Sequence, residues 1–270
     1  MSNGTPSFVT SRDGTRIAYY VRGEGLPLVL SYGALSDSRF WGRLAPHLEG
    51  YRLYIIERRG RGESGDAPEW SAEREVEDMV AVLEAVGEPA FVFAHSSGAV
   101  LALAAALQAP ERVRRLVLYE PPCIVKGGVR GNGYDDDLPR RIRELVVSGD
   151  RAAAIETFFR EAPALPEADI ERQKAGTLWQ GLEPLAHTAE YDAALTLTYN
   201  ETTLAARDFA VPTLFLYGEM SPEWVIEGVH TLAKGLGQAP TVMLPKQGHV
   251  AMFTAPELLA GEIRGFFEQS

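Results

Sequence analysis

Six short apolar runs, separated by longer amphipathic stretches, decide what this chain can become. They are PLVLSYG (Pro27–Gly33), YRLYIIE (Tyr51–Glu57), FVFAH (Phe91–His95), RLVLYE (Arg115–Glu120), PTLFLYG (Pro212–Gly218) and TVMLP (Thr241–Pro245). Runs this short, rich in Val, Ile, Leu, Phe and Tyr, read as buried parallel strands. Helical patterns lie between them. In SAEREVEDMVAVLEAVG, Val76, Met79, Val80 and Leu83 form one apolar stripe, and Gly87 ends the helix. SGAVLALAAALQAP is apolar nearly all round and should be a buried helix, whereas PELLAGEIRGFFEQ should be an amphipathic C-terminal one. In PSFVTSRDGTRIAYYVRG, Asp13-Gly14 supplies the turn of an antiparallel hairpin. The order predicts an α/β fold, a mostly parallel doubly wound sheet of about eight strands flanked by helices.

The rhythm breaks between Glu120 and Pro212, where DLPRRIRELVVSGD and RAAAIETFFREA are helical patterns and GGVRGNGYDDD reads as a loose loop. This predicts a helical lid, residues 122–207, inserted into a core made of 1–121 and 208–270. Such an insertion usually covers the mouth of a site. Chemistry is narrowed by the rest of the composition. A net charge of −11 argues against a nucleic-acid partner, because phosphate binding needs a basic face. Cys123 is the one cysteine, so an internal disulfide and a cysteine zinc site are both excluded. The longest apolar stretch, AVLALAAAL, is too short for a membrane span, and MSNGTPSFVTSRDG lacks a signal pattern. A soluble cytoplasmic protein is expected.

FVFAHSSGAV carries the chemical question, since either serine could simply cap the following helix. Ser96 falls on the sharp turn between a strand and a helix. Small neighbours at −2 and +2, here Ala94 and Gly98, let such a turn lift one side chain clear of the sheet edge. The Ser97 N–H lies beside it, near the positive end of the helix, as an oxyanion donor would.

Taken in order, these motifs resemble the α/β-hydrolase family. PLVLSYGALSD is similar to its strand and oxyanion turn, with Tyr32 in the place of His and Gly33 retained. ERRGRGES resembles its D-x-R-G-x-G-x-S turn, with Glu57 for Asp, and PKQGHVAMFTAPELL its final Gly-His segment. The resemblance implies Ser96 as nucleophile, His249 as base, and the N–H groups of Ala34 and Ser97 as oxyanion hole. The usual acid is missing, because Ser221 stands where Asp is expected. Glu219 and Glu223 flank that position, and Ser221-Pro222-Glu223 reads as a helix start. Glu120, ending the strand after the nucleophile strand, is the favoured acid; some family members, haloalkane dehalogenases among them, carry theirs there. Those enzymes and epoxide hydrolases use Asp at the elbow, so Ser96 argues against both.

The function expected is hydrolysis of a small or medium, mainly apolar ester, thioester or lactone. Carbon–carbon bond hydrolysis, lyase chemistry and acyl transfer could use the same residues. A binding protein on this fold is the competing class, with Ser221 as its best support. No metal or organic cofactor is implied. Tyr32, Trp179, His187 and Tyr191 are candidate substrate-binding residues, and Phe158 and Phe159 join them on the lid, where packing is the competing reading. His95 is expected to support the turn.

Overall fold

The computed structural model describes residues 4–128, 135–177, 179–206 and 208–269. Among these, eight strands form one sheet: β1 (Ser7–Thr10), β2 (Arg16–Arg22), β3 (Leu26–Ser31), β4 (Tyr51–Ile56), β5 (Ala90–His95), β6 (Val113–Tyr119), β7 (Thr213–Gly218) and β8 (Thr241–Leu244). Their order across the sheet is β1-β2-β4-β3-β5-β6-β7-β8. Pairings of β2 with β1 and β4 are antiparallel and the others parallel. All six apolar runs become strands with ends within two residues of the run. The first turn is the expected one, with Gly14 at φ +90° and the Thr15 N–H donating to Asp13 Oδ1 at 2.9 Å.

Along β5, Val92 and Ala94 enter one apolar core while Phe91 and Phe93 enter the other, the period-two alternation of a strand covered on both faces. The first core is closed by α1 (Ala72–Val86), α2 (Ser97–Gln108) and α8 (Glu223–Gly235). Ser71 caps α1 and Gly87, at φ 83°, ends it. The second core is closed by α9 (Ala251–Thr254), α10 (Pro256–Phe267) and a segment carrying Trp41, Leu44 and Leu48.

Between β6 and β7 the described residues hold helices and no strand: α3 (Leu138–Val147), α4 (Arg151–Glu161), α5 (Glu167–Lys174), α6 (Trp179–Leu182) and α7 (Thr188–Thr198). Positions 129–134 of GGVRGNGYDDD lie outside the described residues. The helices share their own apolar core, with Leu138, Ile142, Ile155, Phe158, Trp179 and Ala193, and Leu35 from the turn after β3 enters it. These helices therefore pack at the carboxyl edge of the sheet, and α7 also rests on α1 and α2. No described helix is long and apolar enough to cross a membrane.

Candidate active site

Parallel strands end on a common edge, so the residues following β3, β5, β6 and β7 converge. Ser96 follows β5 at φ 56°, ψ −132°, and its side chain makes no capping hydrogen bond to α2. The backbone is crowded here. A Cβ at Gly98 would lie 2.2 Å from the Tyr32 carbonyl oxygen, and one at Gly33 would lie 2.7 Å from Ser96 Cβ. Ala94, fully buried, is accommodated where glycine is usual. Ser97 opens α2, so its N–H has no partner within the helix.

Glu120 follows β6, also at positive φ (49°) and fully buried. One carboxylate oxygen, Oε2, lies 2.5 Å from His249 Nδ1, and His249 Nε2 lies 3.1 Å from Ser96 Oγ. A carboxylate can only accept, so Nδ1 carries the hydrogen and Nε2 is left to take the serine proton. Oε1 accepts from the Gly218 N–H at 2.7 Å and from the Ser221 hydroxyl. The two strand ends are thereby joined. Ser221 does not cap the helix: α8 begins at Glu223 after Pro222, and the Ser221 hydroxyl donates to Glu120 instead. Glu223 is exposed, and Glu219 accepts from the Lys246 N–H at 2.7 Å.

The loop bearing His249 is tied to the sheet edge. His95 Nε2 donates to the His249 carbonyl at 2.8 Å, and the Tyr119 hydroxyl donates to the Gly248 carbonyl. Burial, with His249 nearby, holds the His95 pKa well below the usual histidine value. His95 is therefore a neutral clamp between nucleophile turn and base loop, a wider role than support of the turn alone. Tyr32 is not placed to line a pocket. It is fully buried, and its hydroxyl donates to Glu57 Oε1 at 2.6 Å. Trp179 is 7% exposed within the apolar core that the helices between β6 and β7 share. His187 Nε2 meets the Gly60 carbonyl at 3.1 Å, and the Tyr191 hydroxyl donates to Asp66 at 2.9 Å. These two fasten the helices between β6 and β7 to the segment after β4, with Tyr191 stacked on Trp70.

Behind the elbow lies a group of charges that sequence reasoning missed. Asp192, from α7, accepts from the Ser97 hydroxyl at 2.7 Å and pairs with Arg58 at 2.8 Å and Arg61 at 2.7 Å. Arg58 Nη1 also donates to Ser97 Oγ at 3.1 Å and to the Tyr32 carbonyl at 3.3 Å, while its Nε reaches Glu75 at 2.7 Å. Burial pushes the Asp192 carboxyl up, but the two guanidiniums outweigh it and hold the pKa below the ordinary value. No residue spacing announces these pairs, since Arg61 and Asp192 are 131 positions apart.

A model of the alpha/beta hydrolase family matches residues 28–262. This chain belongs to that family. Lipase LipV of Mycobacterium tuberculosis is 27% identical to this chain over 61% of it and 55% of its own length. The putative carbamate hydrolase RutD of Azorhizobium caulinodans is 35% identical over 50% of each protein. The chain thus spans about half the length of these curated relatives. An alpha/beta hydrolase of Sphaerobacter thermophilus has a similar crystal structure, at 35% identity and TM-score 0.86, covering 97% of this chain and all of that one.

Proposed function

We propose that this hydrolase cleaves a small or medium, mainly apolar ester, thioester or lactone through an acyl-enzyme on Ser96. The observation that carries the reading is the unbroken contact from Glu120 through His249 to Ser96. Ser96 Oγ attacks the carbonyl carbon as its proton passes to His249 Nε2. The N–H groups of Ala34 and Ser97 hold the oxyanion, and Glu120 steadies the imidazolium. Collapse expels the alcohol or thiol, which takes the proton from His249. Water, deprotonated by the same nitrogen, then attacks the acyl-enzyme and releases the acid. The helices between β6 and β7 act as a lid over this site, since their core includes Leu35 beside Ala34. Lipase LipV, named for ester hydrolysis, supports the reaction class.

The test pairs a fluorophosphonate probe with p-nitrophenyl esters and thioesters of graded acyl length. Stoichiometric labelling that Ser96→Ala removes, together with turnover of short or medium acyl groups, is expected. A protein that neither labels nor turns over any member of the panel would be a binding protein on this fold.

A further inference from the structure

We propose that Asp192, carried by α7, is a positioning residue for the oxyanion hole, acting through Ser97 and Arg58. This rests on the acyl-transfer reading of Ser96. The two amides assigned to the hole come from separate strand ends, Ala34 after β3 and Ser97 after β5. A single guanidinium reaches both sides: Arg58 Nη1 donates to the carbonyl of Tyr32, two residues before Ala34, and to the hydroxyl of Ser97. Asp192 completes the arrangement. Its Oδ1 receives the Ser97 hydroxyl and Arg58, and its Oδ2 receives Arg61. The Ser97 side chain is thus fixed between a cation and an anion. That fixes the first residue of α2 and the direction of its N–H.

The environment makes the clamp stiff. The side chains of Arg58, Arg61 and Glu75 are 0% exposed and that of Asp192 is 1% exposed. Water cannot substitute for a missing partner there. Buried ion pairs are often no more stabilising than apolar packing of the same volume, so stability alone is a weak reason for this one. Orientation is a better reason, because an oxyanion hole acts by donors already aimed before charge develops. The network also makes α7 part of the site. Moving it away would separate Asp192 from two sealed arginines.

A double-mutant cycle tests this, with kcat and KM measured on p-nitrophenyl butyrate and Tm measured alongside. Asp192→Asn keeps the shape and loses the charge; it should lower kcat about 100-fold with little change in KM, as misdirected oxyanion donors do. Ser97→Ala removes the hydroxyl link and leaves the arginine pairs intact. It should lower kcat about 10-fold with KM little changed, while Tm falls by only the few degrees that lost buried hydrogen bonds cost. If Asp192 acts through Ser97, the double variant is no slower than Asp192→Asn alone. Losses that multiply, or an Asp192→Asn enzyme with wild-type kcat, overturn the proposal. Should Asp192→Asn fail to fold, Ser97→Ala decides alone: wild-type kcat sinks the idea. A wild-type enzyme that fails to label at Ser96 would instead refute the acyl-enzyme reading, a separable outcome.

Discussion

Two adjacent serines leave one turn into opposite surroundings. The Ser96 hydroxyl meets His249, whose side chain is 37% exposed, while the Ser97 hydroxyl meets Asp192 and Arg58, both sealed from solvent. In the proposed reaction the first side admits a substrate and a hydrolytic water and lets protons move. The second moves nothing, and its charges are paired at close range in a medium that screens them little. On the proposed mechanism, chemistry is on the wet side of the elbow and its geometry is set from the dry side.

The comparison is broken most severely on the wet side. Ser96→Ala should lower kcat on the order of 10⁶-fold, with the circular dichroism spectrum and Tm unaltered. A rate near wild type would move the nucleophile elsewhere. Glu120→Gln comes next. It keeps the size but removes the charge facing His249 Nδ1, and the expected loss is about 10⁴-fold in kcat. Steady-state rates on a p-nitrophenyl ester measure both.

Ser221→Ala sharpens the contrast further. It removes one donor to Glu120 Oε1 and leaves the Gly218 N–H in place, so kcat should fall about 10-fold. Ser221→Thr should restore the rate. Were Ser221 a helix cap, Tm would fall and kcat would hold. Smallest of all, Glu223→Gln alters an exposed acid in the first turn of α8, and both kcat and Tm should stay within about twofold and a degree or two of wild type. A large loss there would put a second carboxylate into the mechanism.

How much of this was legible depends on the range of the interaction. The strands were readable because a buried strand declares itself within a few residues, as PTLFLYG and FVFAH do. Glu120 was readable too, through topology: the ends of β5 and β6 share an edge, so an acid closing RLVLYE had to lie near Ser96. Ser221 was in view as a vacancy in the usual pattern, but its inward turn to Glu120 spans two strand ends and leaves no local mark. The same holds for ERRGRGES. Nothing in that polar string says that Arg58, Arg59 and Arg61 are buried, because their partners Glu75, Asp78 and Asp192 come from α1 and α7. Tyr32 was misjudged because an aromatic beside an active-site glycine looks the same whether it faces ligand or core; Glu57 decides it.

The positive φ angles of Leu35, Ser96 and Glu120 have a consequence for evolution in the laboratory. Side chains rarely adopt such backbone, and each instance costs about 1–3 kcal/mol that glycine would not incur. At Glu120 the hydrogen bonds its buried carboxylate accepts, and at Leu35 burial among the helices, offset that cost, whereas Ser96, whose side chain makes no capping bond, is not the residue that folding favours. A library screened only for heat resistance or soluble yield should accumulate glycine at position 96, and on the proposed mechanism those clones would be inert. Selection on this scaffold has to read turnover at every round.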